Sequence, residues 1–388
     1  MLTRYQIQDF AVLRGDSTDP RKKPDSIWSL YSLPAFDNNQ NCERVLGKEI
    51  LSNKYIVPDK CILFNKLNVR FKRIWRINNS DDLKICSTEF LPLVIDESKV
   101  DFDFCYYLLQ RDEITSFLEG QNSGTSGSHK RIKPNAFMEM EVMLPSFEEQ
   151  KRIASILCSL DEKIANNDIL NNRLEQASRD LYDYYFNNRQ FPQNNWEVRC
   201  LGDIADIMNG ATPDTSNPSN YGGEIVWITP KDLSDQDSKF VYYGERNITQ
   251  SGYDSCSTKL LPPWTILMSS RAPIGLISIA MVEVCTNQGF KSFVFKDEAL
   301  VPYMYYYLMY HIKSIEQLGS GTTFKEVSRD SMMKYEVLLP PIEQLKVFYE
   351  AVMPLFKEQY IITCETNNLK KEKSRILPLL MTGQVKVL

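Results

Sequence analysis

The strongest constraint on this chain is that it repeats itself. Gly124-Thr125-Ser126-Gly127, followed by Ser128-His129-Lys130, is answered 195 positions later by Gly319-Ser320-Gly321-Thr322, followed by Thr323-Phe324-Lys325. The same offset carries Gly15 to Gly210, Leu144-Pro145 to Leu339-Pro340 and Lys151 to Lys346. With a small gap, Ile27-Trp28 matches Val226-Trp227, and Pro58 with Ile62-Leu63 matches Pro262 with Ile266-Leu267. A chain that says the same thing twice folds as two copies of one unit, each needing its own core.

Within each copy the apolar period changes. Residues 1–145 and 191–340 contain short β-type runs broken by Gly, Pro and Asn, such as Cys61-Ile62-Leu63-Phe64 and Thr265-Ile266-Leu267-Met268. A helix (about 102–118 and 303–318), a Gly/Ser/Thr loop and a strand closing at Leu-Pro end each. After Leu-Pro the spacing becomes three and four: Ile153, Leu157, Leu160, Ile164, Asn167, Asn171, Leu174, Ala177, Leu181 and Tyr185. In the second copy it runs Leu345, Phe348, Val352, Leu355, Gln359, Ile362, Thr366, Leu369, Lys373, Ile376 and Leu380. So narrow a stripe is a coiled-coil seam, with polar residues in mid-seam that lower stability and fix register. Ser146 suits the first helix's N-cap, and Pro354 should kink or restart the second.

The expected fold class is therefore α+β: two mixed, β-rich domains with pseudo-twofold symmetry, separated by two long antiparallel helices forming a coiled coil. Its boundaries are 1–145 and 191–340 for the domains, 146–190 for the first helical region and 341–388 for the second with its tail. Helices of roughly 40 residues would each span about 60 Å. Two inverted domains on such a spacer suit a partner that offers two separated elements; DNA, if read this way, would show two half-sites about one or so helical turns (~34 Å) apart.

Composition narrows the chemistry. The 388 residues are 43% hydrophobic, enough to bury cores, and the apolar stretches at 275–282 and 303–312 are too short to cross a bilayer. With no signal-peptide pattern at Met1–Phe10, the expectation is a cytoplasmic protein away from membranes. The nine cysteines form no C-x-x-C pair and only two histidines are present, so no metal site and no disulfide framework is expected. Residues 1–145 carry 20 basic and 20 acidic groups, and 191–340 carry 12 and 17. Neither is the surface of a free-standing tight DNA binder, so on DNA partners would share the phosphate contacts.

Particular motifs then point to a family. Tyr31-Ser32-Leu33-Pro34-Ala35-Phe36-Asp37-Asn38, Leu63-Phe64-Asn65-Lys66-Leu67-Asn68-Val69-Arg70 and the loop Gly124–Pro134 lead to Leu144-Pro145-Ser146-Phe147-Glu148-Glu149-Gln150-Lys151-Arg152-Ile153. The second copy adds Leu201-Gly202-Asp203-Ile204-Ala205, Trp227-Ile228-Thr229-Pro230-Lys231-Asp232-Leu233 and the closing Leu377-Pro378-Leu379-Leu380-Met381-Thr382-Gly383-Gln384. Along essentially its whole length the chain resembles the specificity subunits of Type I restriction–modification enzymes. The Glu148–Ile153 helix opening is the most specific piece. The resemblance implies a non-catalytic reader of a bipartite sequence in double-stranded DNA. It also implies that the helices dock two modification (adenine-methylating) subunits, that restriction/translocase subunits join them, and that S-adenosylmethionine, ATP and Mg belong to those partners. The sequence departs from the pattern in lacking, before the first domain, a lead-in like Trp196–Asp203, and in carrying Pro354.

Weighed singly, the residues agree. No G-x-x-x-x-G-K-[ST] loop is present. Asn217-Pro218-Ser219-Asn220 lacks the second proline and aromatic of a methyltransferase loop, and reads as a turn. Pro58-Asp59 with Glu97-x-Lys99 spells a nuclease-like pattern short enough to arise by chance. The strongest positive cluster is Lys66, Asn68, Arg70, Lys72, Arg73 and Arg76, interleaved with Phe71 and Trp75. It suits guanine edges and phosphates, and equally a solvated strand face. Its sparser counterpart is Ser269-Ser270-Arg271, and Lys231 is a further candidate. Loop residues Ser126, Ser128, His129, Lys130 and Arg131, and Thr322, Thr323 and Lys325, suit close approach to a duplex or simply the end of a helix. A structural coiled-coil adaptor with protein-binding end domains is the alternative.

Overall fold

The computed structural model describes residues 2–38, 40–81, 83–120, 130–187, 195–236, 238–321 and 325–385. Two compact units emerge, one formed by residues 1–164 with 368–388, the other by 165–367.

In the first unit, strands Ala11–Leu13, Phe90–Ile95, Lys60–Asn65 and Ile74–Asn78 lie side by side in that order, antiparallel throughout. Within Lys60–Asn65 the stretch Cys61–Phe64 reads as a continuous apolar run because both its faces are covered. Ile62 and Phe64 join the main core, whereas Cys61 and Leu63 point the opposite way into a second cluster with Tyr31 and Trp75. That second cluster lies against a five-stranded sheet in which Ile27–Tyr31 and Lys84–Cys86 run parallel. Helices Phe102–Leu108 and Asp112–Gly120 close the main core with Phe104, Tyr107, Ile114 and Leu118.

The second unit uses the same wiring. Strands Ala205–Asn209, Phe290–Phe295, Ile266–Ser270 and Ile274–Ala280 stand in the equivalent order, extended by the short Phe240–Val241. Trp227–Ile228 and Cys285–Thr286 pair parallel, as does Phe240–Val241 with the end of Ile274–Ala280. Helices Leu300–Tyr310 and Ile312–Gln317 follow, as the repeat requires.

The lead-in expected to be missing is present. Thr3–Gln6 pairs antiparallel with Glu141–Leu144, as Glu197–Cys200 pairs with Glu336–Leu339, and a helical turn follows each first strand. A two-stranded ladder is held by backbone bonds, which leave its side chains free to differ between the copies. The matched glycines are not equivalent either. A Cβ on Gly210 would lie 2.2 Å from the backbone oxygens of Thr286 and Asn287, while one on Gly15 would meet nothing within 4 Å. Gly210→Ala should therefore destabilise the second unit by about 2–3 kcal/mol, and Gly15→Ala should leave the first nearly unchanged, as read by urea unfolding.

The long helices span Phe147–Tyr182 and Ile342–Met381. Ser146 Oγ accepts the Glu149 N–H at 3.4 Å, a loose N-cap. Within the second unit the helices run antiparallel. Asn167 Nδ2 donates to Glu365 at 2.8 Å, Asn171 Nδ2 to Thr363 Oγ1 at 3.4 Å, and Gln344 Nε2 to the Tyr185 carbonyl at 2.8 Å. Within the first unit Lys373 Nζ bonds Asp161 at 2.5 Å, and Leu157 shares a core with Leu380. The second helix does not restart at Pro354. That residue is exposed, and the buried Val352, Met353 and Phe356 around it hold the helix together across one lost backbone bond.

Candidate nucleic-acid interface

In the first unit the basic cluster is the tip of the hairpin between Lys60–Asn65 and Ile74–Asn78. The buried Asn65 shapes it, accepting the Leu67 N–H at 2.9 Å and donating to the Leu67 carbonyl. Asn68 and Lys72 adopt left-handed backbone (φ 52° and 46°) around a 3-10 turn at Val69–Phe71. The end of the Gly/Ser/Thr loop packs beside this tip. Asn68 N–H donates to the Lys130 carbonyl at 2.9 Å, Ile132 N–H to the Lys66 carbonyl at 3.0 Å, and Leu67 bridges Arg131. Two stretches picked separately from the sequence, 66–73 and 130–131, thus form one surface.

Its cations differ in freedom. Arg73 holds Asp37 through two bonds of 2.7 Å, Lys72 pairs with Asp112, and Arg131 chelates Glu89, which raises the Arg131 pKa. Arg70 is exposed and, with Lys66 and Lys130, has no carboxylate partner among the described residues. Arg76 faces away from the tip, bonded to Asp103 at 2.8 Å with its guanidinium over Tyr106. Ser126, Ser128 and His129 lie outside the described residues, as do Thr322 and Thr323.

The second unit builds the same junction from different side chains. Ser270 N–H donates to the Gly289 carbonyl at 2.7 Å and Val327 N–H to the Ser270 carbonyl at 3.0 Å, where the first unit has Lys66 to Glu89 and Ile132 to Lys66. Arg271 and Lys325 occupy this tip. Arg271 lies 3.5 Å from Glu326, which also takes the buried Lys291 at 3.3 Å; burial lowers the Lys291 pKa. Ser269 and Ser270 are corrected by the structure, since both are fully buried on a central strand. Their hydroxyls donate to the Pro273 and Gly289 carbonyls. Lys231 opens the short helix Pro230–Ser234 and pairs with Glu245 at 2.7 Å. Pro230 lies beside Gly289, which places this helix next to the junction.

Sequence reasoning missed the carboxylates Asp37, Glu89, Asp112 and Glu326 that hold these cations. One was legible, because the repeat sets Glu326 against Arg131, a reversal of charge at one structural position.

Catalytic alternatives come apart here. Asp59 bonds Lys84 and Glu97 bonds Lys60, so the nuclease-like pattern is two separate ion pairs. Asn217 caps the turn Pro218–Asn220 through the Ser219 N–H at 3.2 Å, as a structural loop does. Burial pushes the Cys61 thiol up to about 12, the behaviour of an inert core residue. Among the described residues no cluster of three metal-ligating side chains occurs and no helix is long and apolar enough to cross a membrane.

Fold and surface together define a class: a duplicated protein whose two β-rich units share one wiring and each carry cations at a hairpin tip. The family described as Type I restriction modification DNA specificity domain matches twice, over residues 5–176 and 193–371. The chain is 38% identical over 155 residues to the Type I restriction enzyme MjaIX specificity subunit of Methanocaldococcus jannaschii, a match covering 39% of this chain and 36% of that one. It is 22% identical to the HindI specificity subunit of Haemophilus influenzae, over 93% of this chain and all of the relative. The S subunit structure of a Type I restriction–modification system from M. genitalium shares the fold, with a TM-score of 0.67 at 14% identity over 98% of this chain and 96% of that one. This chain belongs to the Type I restriction–modification specificity family: it recognises DNA sequence within a restriction–modification complex and is not the catalyst.

Proposed function

We propose that each unit reads one half of a bipartite duplex target through its hairpin tip and the adjoining loop. The observation that carries this is the shared junction, in which two units with different side chains build one backbone frame and arm it with cations. In the first unit Arg70, Lys66 and Lys130 contact the duplex directly, while Lys72, Arg73 and Arg131 exchange their carboxylates for phosphate, a trade of one anionic partner for another. In the second, Arg271, Lys325 and Lys231 take that part. The long helices receive two modification subunits, with restriction/translocase subunits joining them. S-adenosylmethionine, ATP and Mg are held by those partners, and the complex works in the cytoplasm.

Gel-shift binding of the chain with its modification subunits tests this: a split site should be preferred to scrambled DNA, with affinity falling steeply as salt rises. Equal binding to both duplexes, or a flat salt response, would return the chain to an adaptor role. Arg70→Ala should relax discrimination at one half-site by about 10- to 100-fold and leave the other intact; Arg271→Ala should do the reverse. Competition with single-base variants of each half-site separates the two.

A further inference from the structure

We propose that Phe71 is a wedge which the first unit inserts between neighbouring base pairs, kinking its half-site, a role that rests on the DNA-reading assignment above. Phe71 is a large apolar side chain left 51% exposed at the end of a hairpin. It is displayed there by the backbone. The left-handed residues Asn68 and Lys72 fold the turn tightly, with Val69 buried on its inner side and Phe71 exposed on its outer. Left-handed backbone is unfavourable for lysine, and it persists here because Asn65, Val69 and the bond to the Lys130 carbonyl over-determine the turn. A tip held in this way cannot withdraw its aromatic ring into the core.

The surroundings identify what the ring meets. The Arg70 and Arg73 guanidinium carbons each stand 4.8 Å from its centroid, and Lys66, Lys72, Lys130 and Arg131 share the tip. A protein partner offering an apolar pocket would have to bury this ring of cations. A duplex offers both things the tip can use: an apolar slot between stacked bases and phosphates on either side of it. Once the ring enters the stack, Arg70 is released from its face toward a flanking phosphate, and Arg73 follows where phosphate replaces Asp37. Apolar wedges of this kind open one base step and bend DNA by about 20–90°. The equivalent tip of the second unit, Ser270-Arg271-Ala272-Pro273-Ile274, carries no aromatic, so the kink is confined to the first half-site.

The probe is the duplex that the complex enriches from a randomised library, carrying 2-aminopurine in place of single adenines, with end-labels for bending by energy transfer. With the unaltered chain, fluorescence should rise at one step of one half-site and the duplex should bend. Phe71→Ala should abolish both signals and weaken binding about tenfold, while Phe71→Leu, which keeps an apolar wedge, should retain most of each. An enriched duplex that stays straight with flat fluorescence, or Phe71→Ala that bends it as the unaltered chain does, would overturn the wedge and leave the reading of DNA standing. Failure to enrich any sequence would remove the DNA-reading assignment, and the wedge with it.

Discussion

Replacing Glu175 by alanine should destabilise the second unit by about 3 kcal/mol, far more than replacing its partner Lys239 by methionine. Lys239 is almost wholly buried, with its amine 2.7 Å from Glu175 Oε2, 3.2 Å from the Tyr306 hydroxyl and 3.6 Å from the centre of the Phe356 ring. Burial pulls its pKa down to about 8, with Glu175 acting against that fall. Removing Glu175 strands a cation among rings, unpairs Arg179 and takes one of the two acceptors of Gln359 Nε2, leaving it the Asn171 carbonyl. The cost stays near the low end for a broken buried pair because Lys239 can shed its proton. Removing Lys239 instead leaves Glu175 half-buried and still paired with Arg179. Equal losses in urea for the two variants would contradict this account.

The same lysine sets a pH dependence. Between about 8 and the ordinary lysine value of 10.5 the unfolded chain binds a proton at Lys239 that the folded chain has lost. Rising pH therefore favours the folded state over this window, and the stability contribution disappears as pH falls through about 8. Relative to Lys239→Met, the unaltered chain should gain about 3 kcal/mol between pH 7 and 10.5, measured by denaturant midpoints at each pH. A difference that is constant with pH would show that Lys239 keeps its proton.

A larger loss is expected from Phe348→Ala. Phe348 is fully buried in the second unit with ring centres 4.9 Å from Phe186, 6.0 Å from Tyr185 and 6.1 Å from Tyr182. It ties the start of the second long helix to the end of the first. The cavity should cost about 3–5 kcal/mol, and near-ultraviolet dichroism should weaken with the aromatic cluster. A loss under about 1 kcal/mol would mean that the site collapses around the smaller residue.

The seam shows what a one-dimensional pattern can specify. Positions from Ile153 to Tyr185 and from Leu345 to Leu380, picked by spacing alone, are buried or half-buried with the exception of Ala177. Helix periodicity is local, so the sequence carries it openly. The duplication was legible for the same reason, since an offset of 195 recurs whatever the copies do in space. Less local features were hidden. Pro354 reads as a break, and only the core around it keeps the helix whole. The first strand, Thr3–Gln6, matches nothing by eye, because its partner lies 141 residues away at Leu144.

The interface divides along the same line. Residue types with a cationic character stand out in any sequence, so the tip at 66–73 and the loop at 130–131 could be named without coordinates. Whether each is free to meet DNA depends on neighbours distant in sequence: Asp37 for Arg73, Asp112 for Lys72, Glu89 for Arg131 and Glu326 for Arg271. Ser269 and Ser270 passed for contact residues until strand pairing buried them. The sequence by itself determined two copies, their helical seams and the family, because these rest on period and order along the chain. Tertiary structure alone decided which cations are already paired, which hydroxyls are spent on backbone carbonyls and which aromatic is left facing out, because burial and ion pairing are set by groups that only the fold brings together.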